Sequence, residues 1–394
     1  MANGILDGMR EDCYYKSSCQ MTNFDLLIHA GRLICPTAHL DNPGSVAIRD
    51  GRIVEIGQEI CGTARQSLDF PDAILLPGLI DLHAHPANSY SIYGVEPDQH
   101  MLMRGVTTVL SQGDAGSEHL DQFLHETIGV AKTQVRLAIN LSRIGESTIG
   151  GCFENLADAD VDQCVTAIER TRDHIWGIAV NASRFCCRNT DPRDVLRRGI
   201  DAAEQTELPL LYGLRCWHDW SFEEQLDQLR PGDVVTYCFR SEPFGIVKDN
   251  RIHPAVPSAR DKGILFDVGH GAGSFDFSVV EAAFHDGFPP DTISTDLQLR
   301  HLDGPTHDLP LVMSKLRAVG MTENEVLTAV TQTPARVLGL HPDIGSLLTD
   351  TCADLTLLRW NEQPVDLIDT QSSTRSAPRW ETLLTVRGGA LFHA

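Results

Sequence analysis

The sequence predicts an α/β protein that consists of a (β/α)8 TIM barrel and a small β-sandwich domain formed from both chain ends. Apolar strand candidates alternate with helix-like segments eight times through the middle of the chain. Eight strand–helix units are the number expected for a (β/α)8 barrel. Short strands separated by turns occur near both ends, and neither end alone has enough strands to bury a core. A chain of 394 residues is long enough for one large domain and a smaller one.

Composition and charge argue against an anionic macromolecule as a partner. Hydrophobic residues make up 42% and charged residues 22% of the chain, the balance of a globular protein that buries a core. The net charge of −22 opposes binding to nucleic acid or anionic membranes. The sequence has no run of about twenty apolar residues, so we expect no membrane-spanning helix. The eleven cysteines form no repeated C-x-x-C pairs and no secretory signal is visible, so we expect free thiols and a cytoplasmic location.

The two chain ends are predicted to form one small β domain from residues 21–75 and 345–394. Residues 1–20 are polar and without pattern, and they are predicted to be a disordered tail. The Asp50-Gly51 pair between two apolar runs predicts a β-hairpin. Similar strand patterns return near the C-terminus, so we expect the two ends to pair.

Residues 76–344 are predicted to form the barrel. Its eight strand candidates are Ala73–Leu82, Thr107–Ser111, Val135–Leu141, Ile175–Val180, Leu208–Leu214, Asp233–Phe239, Gly263–Val268 and Thr292–Thr295. Apolar residues with helical spacing predict helices at Asp158–His174, Phe222–Leu229, Leu309–Val319 and Asn324–Thr331. In such a barrel the catalytic groups lie at the carboxyl ends of the strands.

His83 and His85 end the first predicted barrel strand, which follows an apolar run and a Pro-Gly turn. Residues i and i+2 of a strand point to the same face, so both imidazoles can reach one metal ion. Asp296 ends the eighth predicted strand, which is the neighbour of the first in a closed barrel, so it can complete the ligand set. The alternative is two structural histidines at the barrel mouth and an aspartate that caps the following segment.

These segments together resemble the amidohydrolase superfamily, and within it the amidohydrolase/deacetylase subgroup related to dihydroorotases. The resemblance extends over nearly the whole chain from Met21. It is carried by Leu76–His85, Arg104–Val109, Phe266–Gly271, Ile293–Leu297, Met313–Lys315, Thr333–Ala335 and the closing segment Gly345–Leu357. The resemblance implies a barrel enzyme that hydrolyses an amide, cyclic amide or ester bond.

Members of this subgroup usually hold two divalent metal ions. The resemblance implies ligands from a His-x-His pair on strand 1, a carboxylated lysine on strand 4, one histidine each on strands 5 and 6, and an aspartate on strand 8. Here His83, His85 and Asp296 match the pattern. They form a three-ligand set with room for water, close to a catalytic zinc shell with its open position.

The other family ligands are replaced in this chain. Ala179, Gly213 and Tyr237 stand where the lysine and the two later histidines are expected. No carboxylated lysine is therefore expected, and we predict one divalent metal ion, zinc, with manganese or iron as alternatives. The alternatives are a site without metal and a two-metal site in which other residues replace the missing ligands. Cys216 and His218, just after strand 5, are candidate replacement ligands.

Further residues near the predicted barrel mouth are candidates for the reaction or for substrate binding. His270, between two glycines after strand 7, would bind substrate or carry protons, and Tyr237 would donate a hydrogen bond to an oxyanion. Arg184 after strand 4 and, more weakly, Arg143 after strand 3 would clamp a carboxylate. Trp217 would form an aromatic pocket wall. Each has a structural alternative: a turn histidine, a ring that fills the barrel, solvated loop arginines, and a loop tryptophan packed on the barrel.

The first functional hypothesis is a metal-dependent hydrolase of an amide, cyclic amide or ester bond in a small substrate, which is anionic if an arginine clamps it. His83 and His85 would hold the ion, Asp296 would move protons, and Tyr237 or His270 would polarise the carbonyl. The second hypothesis keeps the barrel for an elimination, isomerisation or ring-opening with one metal or none. The third is a binding paralogue without catalysis. A homo-oligomer is compatible with the sequence.

Overall fold

The structure is a computed structural model that describes residues 22–148, 151–214 and 220–393. The predicted tail at residues 1–20 lies outside these ranges. Within the described part of the chain, no helix has both the length and the apolar character needed to cross a membrane.

The strands lie in two main sheets and one short hairpin. In chain order the strands are β1 (Thr22–Cys35), β2 (Leu40–Arg49), β3 (Arg52–Gly57), β4 (Gly62–Pro77), β5 (Leu79–Ala84), β6 (Val106–Gln112), β7 (Gln134–Asn140), β8 (Ile175–Asn181), β9 (Leu210–Gly213), β10 (Val234–Thr236), β11 (Val247–Lys248), β12 (Arg251–Ile252), β13 (Leu265–Phe266), β14 (Leu355–Ile368), β15 (Thr374–Arg387) and β16 (Ala390–His393).

The helices follow the barrel strands along the chain. They are α1 (Pro97–His100), α2 (Leu120–Phe123), α3 (Val161–Thr171), α4 (Arg184–Cys187), α5 (Pro192–Thr206), α6 (Phe222–Gln228), α7 (Ala255–Asp261), α8 (Phe277–His285), α9 (Leu309–Ala318), α10 (Glu323–Val330) and α11 (Gln332–Val337). Short 3-10 turns cover Leu102–Arg104, Leu156–Asp158, Arg172–His174 and Leu299–His301, and one π turn covers Leu124–Ile128.

Both chain ends contribute to one seven-stranded mixed sheet, in the order β16-β15-β14-β4-β1-β2-β3. β1 pairs in parallel with β4 and antiparallel with β2, and β14 connects β4 to the C-terminal strands. Their apolar side chains share one buried cluster, which includes Ile28, Val46, Leu75, Leu355 and Leu384. Neither end could remove this apolar surface from water alone, so the two ends fold together.

The barrel consists of seven parallel strands in the order β13-β10-β9-β8-β7-β6-β5, and an eighth segment closes it. Thr292 pairs in parallel with Asp267, just after β13, and Leu297 pairs in parallel with Ala84 in β5. The eighth segment therefore lies between the last and the first strand. The predicted TIM barrel with a separate β domain from the chain ends is confirmed.

One strand prediction was wrong, because the apolar run Ala73–Leu82 is divided between the two sheets. β4 ends at Pro77 in the small sheet, and β5 begins at Leu79 in the barrel. Gly78 lies between them, and its N–H donates to the carbonyl of Asp354 at 2.7 Å. The end of β4 (Ala73–Pro77) and the whole of β5 are buried, so apolar character alone does not separate the two strands. The predicted domain boundary at residues 75/76 falls inside β4.

The four predicted helices are present as α3, α6, α9 and α10, each close to its predicted limits. Their first residues follow N-caps whose side chains accept backbone hydrogen bonds, as at Asp160 and Asp308. Ser221 and Thr322 form capping boxes with the glutamates three residues later. These caps satisfy N–H groups that have no partner inside the helix and fix where each helix begins.

Candidate active site

His83 and His85 lie at the carboxyl end of β5, and Asp296 lies in the segment that closes the barrel beside it. All three side chains are buried. The Nε2 atoms of His83 and His85 are 3.4 Å and 3.2 Å from Oδ1 of Asp296. One ligand atom from each residue lies within 4.8 Å of the others, a spacing that could hold a metal ion. The structure thus brings together the three residues that the sequence predicts as ligands.

The outer nitrogens of both imidazoles are hydrogen-bonded, which turns their Nε2 atoms towards Asp296. Nδ1 of His85 donates to Oδ1 of Asp114 at 3.0 Å. Nδ1 of His83 lies 2.7 Å from the hydroxyl of Thr236, and that hydroxyl donates to Asp267 at 2.8 Å. Since the threonine proton points to Asp267, its oxygen accepts the proton of His83 Nδ1. In the neutral form of each imidazole the Nε2 lone pair then faces inward, as metal coordination requires.

Asp296 is held in a backbone conformation that is uncommon for a residue with a side chain. Its φ is +50°, and its N–H donates to the carbonyl of His83 at 2.7 Å. A Cβ at Gly271 would lie 2.2 Å from Oδ2 of Asp296, so only glycine leaves room for this carboxylate. Unusual backbone conformations at such positions are typical of functional sites.

The carboxylate of Asp296 fits a divalent cation. Oδ1 is buried, and no described residue gives it a hydrogen bond. Burial, the largest influence, raises the pKa of this carboxyl, but the neighbouring His83 and His85 outweigh it and hold the pKa well below its ordinary value. Burial opposes the charged form of His85, but Asp114 and Asp296 outweigh it and raise the pKa of His85 well above its ordinary value. A buried carboxylate between these groups needs a positive partner; a bound divalent ion would supply it and leave a coordination position open to the cleft.

Replacing Asp114 with asparagine is expected to weaken metal binding about 10- to 100-fold. The amide can donate to Nδ1 of His85, which would move the imidazole proton to Nε2 and block the lone pair that faces Asp296. The hydroxyl groups of Ser91 and Ser111 donate hydrogen bonds to the carboxylate of Asp114. The asparagine amide would be a poorer acceptor for them. Competition with a chromophoric chelator measures the affinity. The matched control is Asp233→Asn, a buried aspartate that accepts from Leu210 N–H instead, and an equal loss in both variants would contradict this role.

Tyr237 lies beside the ligand group and faces the cleft. Its hydroxyl is 3.3 Å from Nε2 of His83, and its ring packs edge-on against that imidazole at 5.0 Å. The guanidinium of Arg240 lies 5.1 Å from the centre of the tyrosine ring. The φ of Tyr237 is +67°, which places this side chain at the end of β10 in another uncommon conformation. The position of the hydroxyl is compatible with the predicted role as a hydrogen-bond donor.

His270 lies behind the cleft and not on its wall. Nδ1 is 2.8 Å from the carbonyl of Gly271, and Nε2 is 2.8 Å from Nζ of Lys315. The ring stacks on Phe275 at 4.5 Å. Burial and the charge of Lys315 lower the pKa of His270 well below its ordinary value, so the imidazole is neutral. With both nitrogens directed to these groups, the structure places His270 as a support for the strand 7 loop.

The predicted substrate-binding residues are not brought together. The guanidinium of Arg143 pairs with Glu118 and with Asp158, the latter at 2.8 Å. Arg184 begins α4 with an exposed side chain and is not part of the cleft wall. Trp217 and the candidate ligands 216 and 218 lie outside the described residues.

A cleft of about 370 Å³ opens above the ligand group. Two arginines that the sequence analysis missed, Arg240 and Arg300, line it together with Glu146 and Asn181. Arg240 donates to the hydroxyl of Ser274 at 2.5 Å. These residues come from loops after the barrel strands, so their position depends on tertiary contacts and has no local pattern. The volume suits a small molecule.

The structure also shows what occupies the places of the replaced family ligands. Ala179 faces Gly113, where a Cβ would lie 3.1 Å from the alanine methyl group. At Gly213 a Cβ would lie 3.0 Å from the side chain of Asn181. The strand 5 position is therefore closely packed against a neighbour, whereas Ala179 contacts a glycine. Of the two groups of described residues that could hold a metal ion, the one at the ends of strands 1 and 8 is the His83, His85 and Asp296 set.

Comparisons with known proteins agree with this fold. No protein-family profile matches the chain. It is 30% identical over 379 residues to a deacetylase of Enterococcus faecalis, which covers 94% of this chain and 99% of that protein. It is 31% identical over 314 residues to a deacetylase of Agrobacterium fabrum, covering 78% of this chain and 77% of that protein.

Comparison with solved structures also identifies proteins that share this fold. The crystal structure of an adenine deaminase matches with a TM-score of 0.86 and 28% identity, covering 94% of this chain and 100% of that one. The crystal structure of a dihydroorotase matches with a TM-score of 0.85 and 27% identity, covering 94% and 98%.

The barrel, the β domain from both chain ends and the ligands at the ends of strands 1 and 8 define a class of hydrolases that act on carbon–nitrogen bonds. The chain belongs to the amidohydrolase superfamily. The resemblance found in the sequence is therefore confirmed, and so is the assignment as an amidohydrolase-type hydrolase.

Proposed function

We propose that this hydrolase cleaves an amide or cyclic amide bond of a small anionic substrate, using one divalent metal ion held by His83, His85 and Asp296. One observation carries the proposal. The two Nε2 atoms and Oδ1 of Asp296 converge at the floor of the cleft, while hydrogen bonds hold both outer nitrogens away from it. The names of the deacetylase and dihydroorotase relatives support an amide or cyclic amide as the bond that is cleaved.

Each residue of the group has a part in the reaction. When bound, a divalent cation makes hydroxide available near neutral pH and polarises a carbonyl. Asp296 accepts the proton of the attacking water and transfers it to the leaving nitrogen. Thr236 and Asp114 hold the outer nitrogens of His83 and His85, which keeps both imidazoles in place. The hydroxyl of Tyr237 donates to the carbonyl oxygen as negative charge develops there.

The two arginines of the cleft support an anionic substrate. The chain carries a net charge of −22, so positive groups at a cleft wall are informative. The guanidinium of Arg300 lies 5.0 Å from the ring centre of Tyr93, and that of Arg240 lies over Tyr237. A substrate carboxylate between them would place its amide group above the ligand set. This assignment replaces Arg184 and Arg143 as the proposed clamp.

Replacing Arg300 with methionine is expected to raise KM about tenfold and to change kcat little, because the guanidinium contacts the substrate away from the bond that breaks. A loss of about 1.4 kcal/mol corresponds to this factor. Steady-state kinetics on the hydrolysed compound measures it. Arg65→Met, an exposed arginine of the small sheet that pairs with Asp25 at 3.3 Å, is the control. If Arg184→Met raises KM and Arg300→Met does not, the proposed clamp is wrong.

A substrate screen tests the reaction itself. N-acyl amino acids, acylated hydroxy acids and cyclic imides are incubated with the wild type and with Asp296→Asn in heavy-oxygen water. Hydrolysis is expected with the wild type only, with incorporation of the heavy isotope into the released carboxylate. A product without solvent oxygen would indicate elimination, isomerisation or another non-hydrolytic reaction. Binding of a compound without turnover by wild type that contains its metal would indicate a binding protein.

A further inference from the structure

A second group of metal-ligating side chains lies in the wall of the same cleft, apart from His83, His85 and Asp296. It consists of Glu146, Cys152 and Cys186, whose ligand atoms lie within 4.8 Å of one another. All three are buried, with 6%, 1% and 5% of their surface exposed. Sγ of Cys152 is 4.0 Å from Oε1 of Glu146. Two thiols and one carboxyl group thus converge from separate parts of the chain.

The backbone holds these loops together independently of any ligand. Phe153 N–H donates to the carbonyl of Cys186 at 2.9 Å, which joins the loop after β7 to α4. The carbonyl of Cys152 accepts from Ser142 Oγ at 2.6 Å. Ser183 caps α4 by accepting from the N–H of Cys186 at 3.2 Å. Each thiol therefore lies on a segment whose position is fixed by hydrogen bonds, as a preformed site requires.

Glu146 connects this group to the first one. Its N–H donates to the carbonyl of Asp114 at 3.1 Å, the residue that orients His85. Glu146 and Cys186 line the cleft together with His85 and Asp296. An ion bound between the two thiols and the carboxylate would therefore have one side turned towards the substrate space.

We propose that Glu146, Cys152 and Cys186 form a second, thiolate-containing site for a soft divalent ion such as zinc. Sulfur ligands select zinc over magnesium, calcium or manganese. Three protein ligands with an open position are the pattern of a zinc ion that is accessible to substrate or water. The site uses the loops after strands 3 and 4. It does not use the positions of Ala179, Gly213 and Tyr237, where the family's second ion finds its ligands. It stands whether or not the proposed reaction is the right one.

A disulfide between Cys152 and Cys186 is the competing explanation. It would use both sulfur atoms and leave the carboxyl group of Glu146 buried beside an apolar bridge, where burial without a partner is unfavourable. Neither of these two cysteines forms a disulfide in the structure. The convergence of a third, oxygen ligand on the two thiols favours a metal ion.

Cobalt(II) distinguishes the two sites, because only a thiolate ligand gives strong sulfur-to-cobalt charge-transfer absorption in the near ultraviolet. The full chain is stripped of metal, reconstituted with cobalt and analysed for bound metal by mass spectrometry. The wild type is expected to show the band. Cys152→Ser and Cys186→Ser should each abolish it and lose about one equivalent of cobalt. Glu146→Gln should weaken that binding. His85→Asn should keep the band and lose the other equivalent.

Cys164→Ser is the matched control, because this buried cysteine of α3 is not part of the group, and its variant should keep the band. A second measurement uses the wild type alone: an organomercurial that modifies thiols should release about one equivalent of zinc. The proposal is overturned if the wild type shows no band. It is also overturned if the band survives in both cysteine variants, or if peptide mapping by mass spectrometry shows that Cys152 and Cys186 are joined by a disulfide.

Discussion

Replacing His85 with asparagine is expected to remove about one equivalent of bound metal and to lower kcat/KM about a thousandfold. In the proposed metal site the imidazole supplies one of two nitrogen ligands, and its loss would leave His83 and Asp296 as an incomplete set. Loss of the ion removes several kcal/mol of transition-state stabilisation, and about 4 kcal/mol corresponds to a thousandfold in rate. Metal analysis by mass spectrometry and kinetics on the compound found by screening measure both effects.

The control for this variant is His29→Asn. His29 lies in β1 of the small sheet, where Nδ1 is 3.1 Å from the hydroxyl of Ser45, so its loss should change neither metal content nor turnover. Circular dichroism of both variants separates loss of the ion from loss of the fold. Metal content and turnover that persist in folded His85→Asn would contradict the assignment of the ligand group. The thiolate site does not depend on this result, since its absorption band reports sulfur ligands only.

Most of the fold could be predicted from the sequence, because apolar runs and turn residues indicate where strands and helices alternate. The closing segment at residues 292–297 could be placed because it ends in a polar residue after a buried run. The break at Gly78 could not be placed, since the end of β4 (Ala73–Pro77) and the whole of β5 are both buried and differ only in the sheet they join. That difference depends on the pairing of β4 with β14, more than 270 residues later in the chain.

The ligand group could be predicted because each ligand lies at the end of a barrel strand. Asp114 also lies just after a barrel strand, two residues beyond the end of β6. A search for acidic residues after strand ends would have found it. Arg240 and Arg300 also follow barrel strands, so a position after a strand end does not separate them from other loop arginines. Arg143 and Arg184 follow strands as well, but the path of each loop decides where its guanidinium lies, and Arg143 is held by Asp158 instead.

Burial decides where His270 lies relative to the cleft. Its position between two glycines after strand 7 is compatible with a group that reaches the substrate. The structure instead surrounds its ring with Phe275, Lys315 and the carbonyl of Gly271. Burial lowers the pKa of Lys315 to about 7, so this pair supports the loop without a strong positive charge beneath the cleft. No sequence pattern reports that a lysine from α9 reaches the same point.

The substitution of a family histidine by Tyr237 changes the chemistry available at strand 6. A histidine there would offer a ring nitrogen to a second ion, whereas the phenol offers an O–H that can donate to a carbonyl oxygen. The hydroxyl lies beside Nε2 of His83 at 3.3 Å, on the cleft side. In the proposed reaction, a neutral donor at Tyr237 would replace the electrophile that a second ion supplies.

Tyr237→Phe is therefore expected to lower kcat about a hundredfold while KM and metal content stay near the wild-type values. Removal of one oxyanion donor typically costs 10²–10³ in kcat, and the donor acts on charge that develops only in the transition state. The phenyl ring keeps the packing against His83 and Arg240. Kinetics under saturating substrate, together with metal analysis, separate these quantities.

Tyr212→Phe is the matched control in the neighbouring strand. It removes a buried hydroxyl that donates to Gln225 at 2.6 Å, so it should lower the free energy of unfolding by about 1 kcal/mol and leave kcat unchanged. Loss of about one metal equivalent in Tyr237→Phe would show that the phenol oxygen is a ligand. An unchanged kcat would show that the carbonyl is polarised without it. Because the hydroxyl faces both the ligand group and the substrate space, either result would reassign it to a specific alternative.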